Sequence, residues 1–345
     1  MPRFIDRFLP PVVLSVALVV VLLISSGLSS RFLSVDNLLS ALTLASPLGV
    51  VAIGMSIVIF TGGIDLSVGS VFAVTAVTMG WSYQQGLPAW AAVLCAVAVG
   101  LFCGAVNGLL ISALRLPAIV VTLATMVLFS GVVMGATRGG SFPAPRELIA
   151  LSSVRLWILP APLVCFLVVL AAVYAVLRWA SFGEYLYAFG SNSEALRLAA
   201  QRVSRVELSA YMLSGLFSAL GAVVYSATVA STKANFGEGY EFAAVTIVVL
   251  GGAALTGGKG TVWGTFMATL VIALLQNGLS ISFVSPDLQQ MFLGLALLIA
   301  AVIYRWLPRL VVSKRPLERG PAGPIPGRPR SSPNKEPLQP QEKGL

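Results

Sequence analysis

The chain contains ten apolar runs, most of them long enough for a helix to cross a lipid bilayer. They cover residues 9–28, 38–60, 66–82, 88–113, 117–137, 158–178, 208–230, 242–256, 261–283 and 288–306. About 20 residues at a rise of 1.5 Å each span the ~30 Å hydrocarbon core. Only 10% of the 345 residues are charged, against roughly 25% in a soluble domain. The sequence therefore predicts an all-α, polytopic integral membrane protein of about ten transmembrane segments.

Two of these runs need separate interpretation. The run at 242–256 is short and carries Gly251 and Gly252, so we expect a tilted, broken or re-entrant segment there. The run at 9–28 exceeds the roughly 7–15 apolar residues of a secretory signal, and it is interpreted as an uncleaved span. The predicted organisation is a transmembrane domain over 1–307, followed by a disordered, basic tail over 308–345 that is rich in Pro, Gly, Arg and Ser.

Charge gives the expected orientation. With both termini on the inner side, 17 of the 22 lysines and arginines fall on that side, which predicts cytoplasmic termini by the positive-inside rule. The net charge of +9 therefore reflects topology and contact with membrane lipid, and no nucleic-acid partner is expected. The chain has no histidine, and its three cysteines sit inside apolar runs without metal-ligand spacing. We therefore expect no metal site and no catalytic residue in this chain.

Residues 60–70, FTGGIDLSVGS, join two apolar runs. Asp65 is the only acidic residue in the 110 positions from 37 to 146. A carboxylate at mid-bilayer costs ~2.5–3.5 kcal/mol on insertion scales, so it should face protein or water. Gly62, Gly63 and Gly69 permit a turn or a broken helix. Two alternatives stay open: a connecting turn at the membrane surface, or a turn buried near a translocation path.

Other polar residues inside the runs are few. The candidates for a substrate path are Asp65, Ser67, Asn107, Thr122, Gln276 and Asn277. Their alternative role is interhelical hydrogen bonding, worth ~0.6 kcal/mol on average in membrane bundles. The pattern GGxxLSxG at 62–69 is echoed by GGxxLTxG at 251–258. This echo is consistent with an internal repeat, or with chance in glycine-rich sequence.

The longest polar stretch between apolar runs covers residues 181–207. Ser191, Asn192 and Ser193 are N-cap types and predict a short helix over 194–202. Its apolar face would comprise Leu196, Ala199, Ala200 and Val203, opposite Arg197, Gln201 and Arg205. Such a helix is marginal alone. It could lie on the lipid headgroups or dock on a cytoplasmic protein.

Five sequence blocks carry a family resemblance. They are TGGIDLSVGS at 61–70, GAVNGLLI at 104–111, PAIVVTLAT at 117–125, FGEYLYAFGSN at 182–192 and GGAALTGGKG at 251–260. Together the chain resembles the permease subunits of ABC importers for monosaccharides, of the ribose, xylose, arabinose, rhamnose and autoinducer-2 type. Three positions depart from the family pattern: Glu184, Ala200 followed by Gln201, and Ala124. At these positions the family pattern does not predict how the chain pairs with an ATPase or how closely one pair of helices packs.

The resemblance implies a multi-pass protein of the bacterial inner membrane that is not itself an enzyme. Its implied partners are a cytoplasmic ATP-binding subunit, a periplasmic solute-binding protein and a second permease copy or paralogue. ATP would bind the partner ATPase, and this chain would hold no cofactor. The coupling helix would comprise Glu194, Leu196, Arg197, Ala199, Ala200, Arg202 and Arg205. Alternatives are a permease of the related branched-chain amino-acid or nucleoside importers, or a stand-alone secondary carrier.

Overall fold

The computed structural model describes residues 2–312, which are helical apart from short strands and turns. The helices are α1 Pro2–Leu28, α2 Val35–Phe60, α3 Val68–Gln84, α4 Ala89–Ser112, α5 Ala118–Thr137, α6 Arg146–Ser152, α7 Ala161–Trp179, α8 Ser181–Ser191, α9 Ser193–Leu198, α10 Val203–Val229, α11 Tyr240–Leu250, α12 Val262–Ile281 and α13 Pro286–Val312. The strands are β1 Ser141–Pro143, β2 Arg155–Leu156, β3 Leu159–Pro160 and β4 Ser231–Lys233. Helix α13 continues to Val312, and the remainder of the predicted tail lies outside the described residues.

Eight of these helices are long and apolar enough to cross a membrane: α1, α2, α4, α5, α7, α10, α12 and α13. The predicted polytopic, all-helical class is therefore confirmed. The other two apolar runs form the 17-residue α3 and the 11-residue α11. Both are shorter than a full span, and non-helical chain precedes each of them.

Helices α2 and α10 form the centre of the bundle. Every residue of α2 from 45 to 60 is buried, and α10 packs against α2, α3 and α4. Glycines bring α4 and α10 close together, since a Cβ at Gly100 would lie 2.6 Å from the Gly215 carbonyl oxygen. Small residues at such crossings allow backbones to approach, which favours helix association in lipid. Few residues are buried in α5, in α1 over 9–28 and in α13 over 286–304.

The connections separate into the two ends predicted from the sequence. At one end, the segment after α2 meets the segment after α11, where the Gly258 N–H donates to the Phe60 carbonyl oxygen at 2.9 Å. At the other end, β1 pairs antiparallel with β4 and β2 pairs with β3. Helix α6 joins this second end through a 3.1 Å hydrogen bond from Ser152 Oγ to the Ala227 carbonyl. We call these the inner and outer ends, following the predicted orientation.

Candidate functional site

The glycine-rich turn begins where α2 ends. The Gly62 N–H donates to the Ile59 carbonyl at 2.9 Å, and the Gly63 N–H donates to the Val58 carbonyl at 3.2 Å. This is the pattern of a Schellman cap, which needs a left-handed residue. Gly62 supplies it with φ of 85°. The chain then runs through 61–67 without helix before α3 begins at Val68.

Asp65 is held inside this turn by three hydrogen bonds. Its Oδ1 accepts from the Ser67 backbone N–H at 3.0 Å and from Ser67 Oγ at 2.6 Å. Its Oδ2 accepts from Ser214 Oγ at 2.8 Å, on α10. Only 2% of Asp65 is exposed. The carboxylate therefore joins the turn to the central helix of the bundle.

Two further candidates from the sequence reach the same place. Asn107 Nδ2 donates to Ser67 Oγ at 2.7 Å, and Thr122 Oγ1 donates to the Ile64 carbonyl at 3.3 Å. We call Asp65, Ser67, Asn107, Thr122 and Ser214 the Asp65 cluster. It connects α3, α4, α5 and α10.

The cluster lies deep in the bundle. Ser214 is roughly 16 Å along α10 from Val203, at 1.5 Å per residue. Asp65 and Ser67 are therefore buried in protein, whereas Gly62 at the start of the turn is exposed, and both alternatives for this turn stay predictions. Sequence reasoning missed Ser214, because it is 149 residues from Asp65 and no local pattern relates the two.

The segment that contains α11 is discontinuous: its first part is not helical, and its second part is helix α11. The chain before α11 runs beside α3 in the opposite direction, with Thr232 against Gly80 and Gly237 against Gly69. A Cβ at Gly237 would lie 2.6 Å from the Gly69 carbonyl oxygen, so both glycines are needed for this approach. Helix α11 therefore begins inside the bundle, level with the start of α3. Two helix N-termini meet there, as in the discontinuous spans of transporters.

Each of these N-termini carries its own buried carboxylate. Glu241, in the first turn of α11 and 8% exposed, has its carboxylate against Gly69 at the start of α3. Asp65 accepts from the Ser67 N–H just before α3. A negative charge at a helix N-terminus is favoured by the helix dipole. Sequence reasoning missed Glu241, although a glycine-rich segment followed by an acidic first turn was a usable signal.

The remaining path candidates, Gln276 and Asn277, lie apart from the cluster on the outer half of α12. Asn277 exchanges two hydrogen bonds with Asn37 of α2, at 2.8 and 3.2 Å between Nδ2 and Oδ1. Gln276 lines a cavity of about 480 Å³ between α2, α11, α12 and α13. We call this cavity the outer pocket. The six candidates thus divide into a closed group of four and an outer pair.

The inner end is organised by α8, a helix that sequence reasoning did not separate from the polar loop. Gly190 of α8 contacts the Phe60 carbonyl and the backbone of Gly257 and Gly258, and a Cβ there would overlap Phe60 and Gly258. Tyr187 stacks on Phe60 with ring centroids 5.2 Å apart and donates to the Gly260 carbonyl at 3.2 Å. Burial raises the pKa of Tyr187 to about 12, so this donor keeps its proton at neutral pH.

The predicted helix over 194–202 is wrong in its length. Its N-cap is confirmed, since Asn192 Oδ1 accepts from the Ala195 N–H at 2.9 Å. Helix α9, however, ends at Leu198, and Ala200 adopts a left-handed φ of 56°. The chain turns there and starts α10 at Val203.

The predicted apolar face of Leu196, Ala199, Ala200 and Val203 therefore does not form on one helix. Leu196 is half-buried, while Leu198, which the prediction omitted, is 87% exposed. The other predicted coupling residues Glu194, Arg197, Ala199, Ala200, Arg202 and Arg205 are exposed. Arg197 and Glu194 form a 3.5 Å ion pair on that surface.

The echoed glycine motifs form similar turns in a different register. After α11, the Gly252 N–H donates to the Val249 carbonyl at 2.9 Å and the Ala253 N–H donates to the Val248 carbonyl at 3.2 Å. Gly252, with φ of 88°, therefore corresponds to Gly62. The sequence echo pairs Gly62 with Gly251, which is wrong by one residue because the helix end, not the glycine pair, sets the turn.

Comparisons with known proteins agree on one family. The family described as "Branched-chain amino acid transport system / permease component" matches residues 37–301. The ribose import permease protein RbsC of Escherichia coli strain K12 is 34% identical over 84% of this chain and 91% of its own length. The autoinducer 2 import system permease protein LsrD of Photorhabdus luminescens is 33% identical over 85% of this chain and 90% of its own. No solved structure matches the chain.

Proposed function

The chain belongs to the family of branched-chain amino acid transport system permease components, and we propose that it is the permease subunit of an ATP-driven importer for a monosaccharide or similar small polar solute. Membership of this family confirms the prediction of a multi-pass transport permease rather than an enzyme. The observation that carries the sugar assignment is the relationship to ribose and autoinducer-2 import permeases over more than four fifths of the chain. The discontinuous spans at α3 and α11 support a translocating role.

Two other transport functions compete with this one. The family description itself favours a branched-chain amino-acid importer. A stand-alone carrier driven by protons would need titratable groups along its path. The chain has no histidine, and the buried Asp65 carboxylate already accepts three hydrogen bonds. This arrangement favours a permease driven by a separate ATPase.

We keep the six residues proposed from the sequence as candidates for a substrate path, and we divide them into two groups. Gln276 and Asn277 would line its outer half, and Asp65, Ser67, Asn107 and Thr122 its inner half. Beside the inner group, Asn107 Oδ1 and Tyr211 OH are buried without a hydrogen-bond partner within residues 2–312. Unpaired polar atoms are costly in this setting. They would become paired if the turn at 61–67 moved and admitted a hydroxylated solute.

The inner end would bind the ATPase through α9. Leu198 is an apolar side chain exposed at the tip of a polar segment, which is the pattern of an anchor in an interface. Helix α8 connects α9 to both glycine turns through Gly190 and Tyr187. A displacement of α9 by the ATPase would therefore reach Phe60 and the segment 257–260 directly. A second permease copy and a periplasmic binding protein complete the proposed assembly.

Uptake measurements test the substrate. The chain, expressed with its neighbouring ATPase and binding protein, should accumulate labelled D-ribose or another monosaccharide in cells, with unlabelled leucine and adenosine as competitors. Accumulation should require ATP and should resist both competitors. Uptake of leucine or adenosine in place of every sugar would overturn the monosaccharide assignment.

Substitution at Leu198 tests the ATPase contact. Leu198→Ser should reduce co-purification of the ATPase about tenfold, the effect of losing ~1.4 kcal/mol at an anchor residue. Ala199→Trp, which adds bulk beside it, should have the same effect at normal permease abundance. Leu156→Ser is the matched control, because Leu156 is 56% exposed on β2 at the outer end. Equal binding by all three variants would show that α9 is only a connector.

Labelling tests the orientation. Single cysteines at Ser141 and Ser193, on a background without native cysteines, should react from opposite sides of the membrane. Ser141→Cys should react in intact cells, and Ser193→Cys only after the membrane is opened. Labelling of Ser193→Cys from the periplasm would invert the topology and remove the ATPase contact.

A further inference from the structure

The outer pocket is lined by polar side chains that the fold itself does not use. Gln276 of α12, Gln290 of α13 and Glu238, just before α11, all line it. None of the three has a side-chain hydrogen bond within residues 2–312. The Asp65 cluster, by contrast, is held together by hydrogen bonds between its own members.

These side chains lie near the outer end of the bundle. Gln276 is five residues before the end of α12 at Ile281, roughly 8 Å at 1.5 Å per residue. Gln276 is half-exposed, and Glu238 and Gln290 are exposed, so their polar groups are accessible to a solute. The pocket volume of about 480 Å³ is in the range of small-molecule sites.

Aromatic rings form one wall of the pocket. Tyr225 and Tyr240 line it, and their ring centroids are 6.4 Å apart. Phe72, fully buried in α3, supports both rings at 5.9 and 5.0 Å. Rings held in this way offer a firm apolar face beside amide and carboxylate groups, a combination that suits a solute with both C–H faces and hydroxyls.

The charges around the pocket disfavour an anionic solute. Among its lining residues the only ionisable side chains are Glu238, Tyr225 and Tyr240, and none is a cation. The N-terminus of α11 could attract an anion, but Glu241 places a carboxylate in the first turn of that helix. An incoming carboxylate or phosphate would therefore meet negative charge and no lining cation.

We propose that the outer pocket binds one neutral, polyhydroxylated solute of monosaccharide size, with Gln276, Gln290 and Glu238 bonding its hydroxyls and Tyr225 and Tyr240 covering one of its faces. The inference rests on the proposed function and adds the place and the charge selectivity of the binding site. Amides both donate and accept, and the carboxylate accepts, so vicinal hydroxyls can be satisfied in several arrangements. An amino acid or a sugar phosphate would leave its anionic group without a cation.

Protection of an introduced cysteine tests this site directly. The full chain with its ATPase in lipid nanodiscs, without ATP or binding protein, carries Ser280→Cys on a background lacking Cys95, Cys103 and Cys165. Ser280 lines the pocket and is exposed. The probes are D-ribose, D-xylose, L-arabinose and L-rhamnose, each at about 100 mM. At least one should slow thiol modification threefold or more, which is the effect expected at this concentration for a Kd of about 50 mM or tighter.

Two variants and one further probe decide the outcome. Ser285→Cys, exposed but outside the pocket, should react at an unchanged rate. Gln276→Leu, added to Ser280→Cys, should abolish the protection without lowering permease abundance. Ribose 5-phosphate should not protect. Equal protection at both cysteines, protection that survives Gln276→Leu, protection by ribose 5-phosphate, or no protection by any of the four sugars would each overturn the proposal.

This test separates the pocket from the transport assignment. If sugar uptake occurs in cells but Ser280→Cys is not protected, the pocket is not a binding site and the permease assignment stands. If Ser280→Cys is protected but no sugar is accumulated in the presence of the ATPase and binding protein, the assignment fails and the pocket remains a polyol site.

Discussion

The Asp65 cluster and the outer pocket contain the same kinds of side chain in opposite states. In the cluster, the carboxylate, hydroxyls and an amide bond one another, and Asp65, Ser67 and Asn107 are almost completely buried. In the outer pocket, Gln276, Gln290 and Glu238 surround open space. Buried polar groups hold the broken span together in the cluster, whereas the polar groups of the pocket are exposed or half-exposed and have no partner among the described residues.

This difference separates two roles that polar residues have inside a membrane protein. Groups bonded to each other stabilise the fold, and removing one leaves its partners unpaired. Groups without partners contribute little to stability and remain free to bond water or a solute. The comparison therefore predicts that substitutions in the cluster affect unfolding and substitutions in the pocket affect solute handling.

The largest effect is expected at Asp65. Asp65→Leu leaves the Ser67 N–H, the Ser67 hydroxyl and the Ser214 hydroxyl without their acceptor, at ~1–3 kcal/mol each, so a loss of about 3 kcal/mol or more is expected. Asp65→Asn keeps one acceptor oxygen and should lose less. Thermal unfolding in detergent and abundance in the membrane measure both. Equal behaviour of the two variants and the wild type would reduce Asp65 to a connector residue.

The next effect is expected at Gly69, where α3 meets the segment before α11. A Cβ there would overlap the Gly237 carbonyl and the Glu241 carboxylate, and overpacking of this kind costs about 1–3 kcal/mol. Gly69→Ala should lower the unfolding midpoint and transport together. Gly131→Ala on α5 is the control, since a Cβ at Gly131 meets nothing within 4 Å. Gly131→Ala should be neutral or stabilising, since Ala favours a helix more than Gly does, and a loss as large as that of Gly69→Ala would show that the close approach is not the cause.

A smaller effect is expected at the hydrogen-bonded pair of Asn37 on α2 and Asn277 on α12. Asn277→Ala removes two hydrogen bonds with Asn37, and bonds of this type are worth ~0.6 kcal/mol on average in membrane bundles. We expect a loss of about 1 kcal/mol. A double-mutant cycle with Asn37→Ala measures the coupling between the two residues. A coupling energy near zero would assign Asn277 to the pocket rather than to the fold.

The smallest effect on stability is expected at Gln276. Gln276→Leu breaks no hydrogen bond within residues 2–312, so the free energy of unfolding should change by less than ~0.5 kcal/mol. Sugar uptake should nevertheless fall, because the variant removes a donor and an acceptor from the outer pocket. A large destabilisation with unchanged uptake per molecule would reverse the distinction between the two regions.

Much of this protein is determined by its sequence alone. Apolar runs fix the membrane class and the position of all ten helical segments, because the bilayer demands both length and hydrophobicity. Glycines at 62–63 and 251–252 mark the helix ends, because left-handed caps need them. The isolated Asp65 identifies a buried polar site, since a carboxylate is rare at membrane depth.

Other features are decided only by tertiary structure. The bond between Asp65 and Ser214 joins residues 149 positions apart, and no periodicity relates them. Helix α9 ends at Leu198 because the chain must turn into α10 at Val203, which overrides the local helical pattern through Arg202. Gln276 and Asn277 are neighbours with similar side chains and both line the outer pocket, yet Asn277 is paired with Asn37 and Gln276 has no side-chain hydrogen bond within residues 2–312. Which of them is available to a solute depends on the helix packed opposite, and a sequence does not contain that information in any local form.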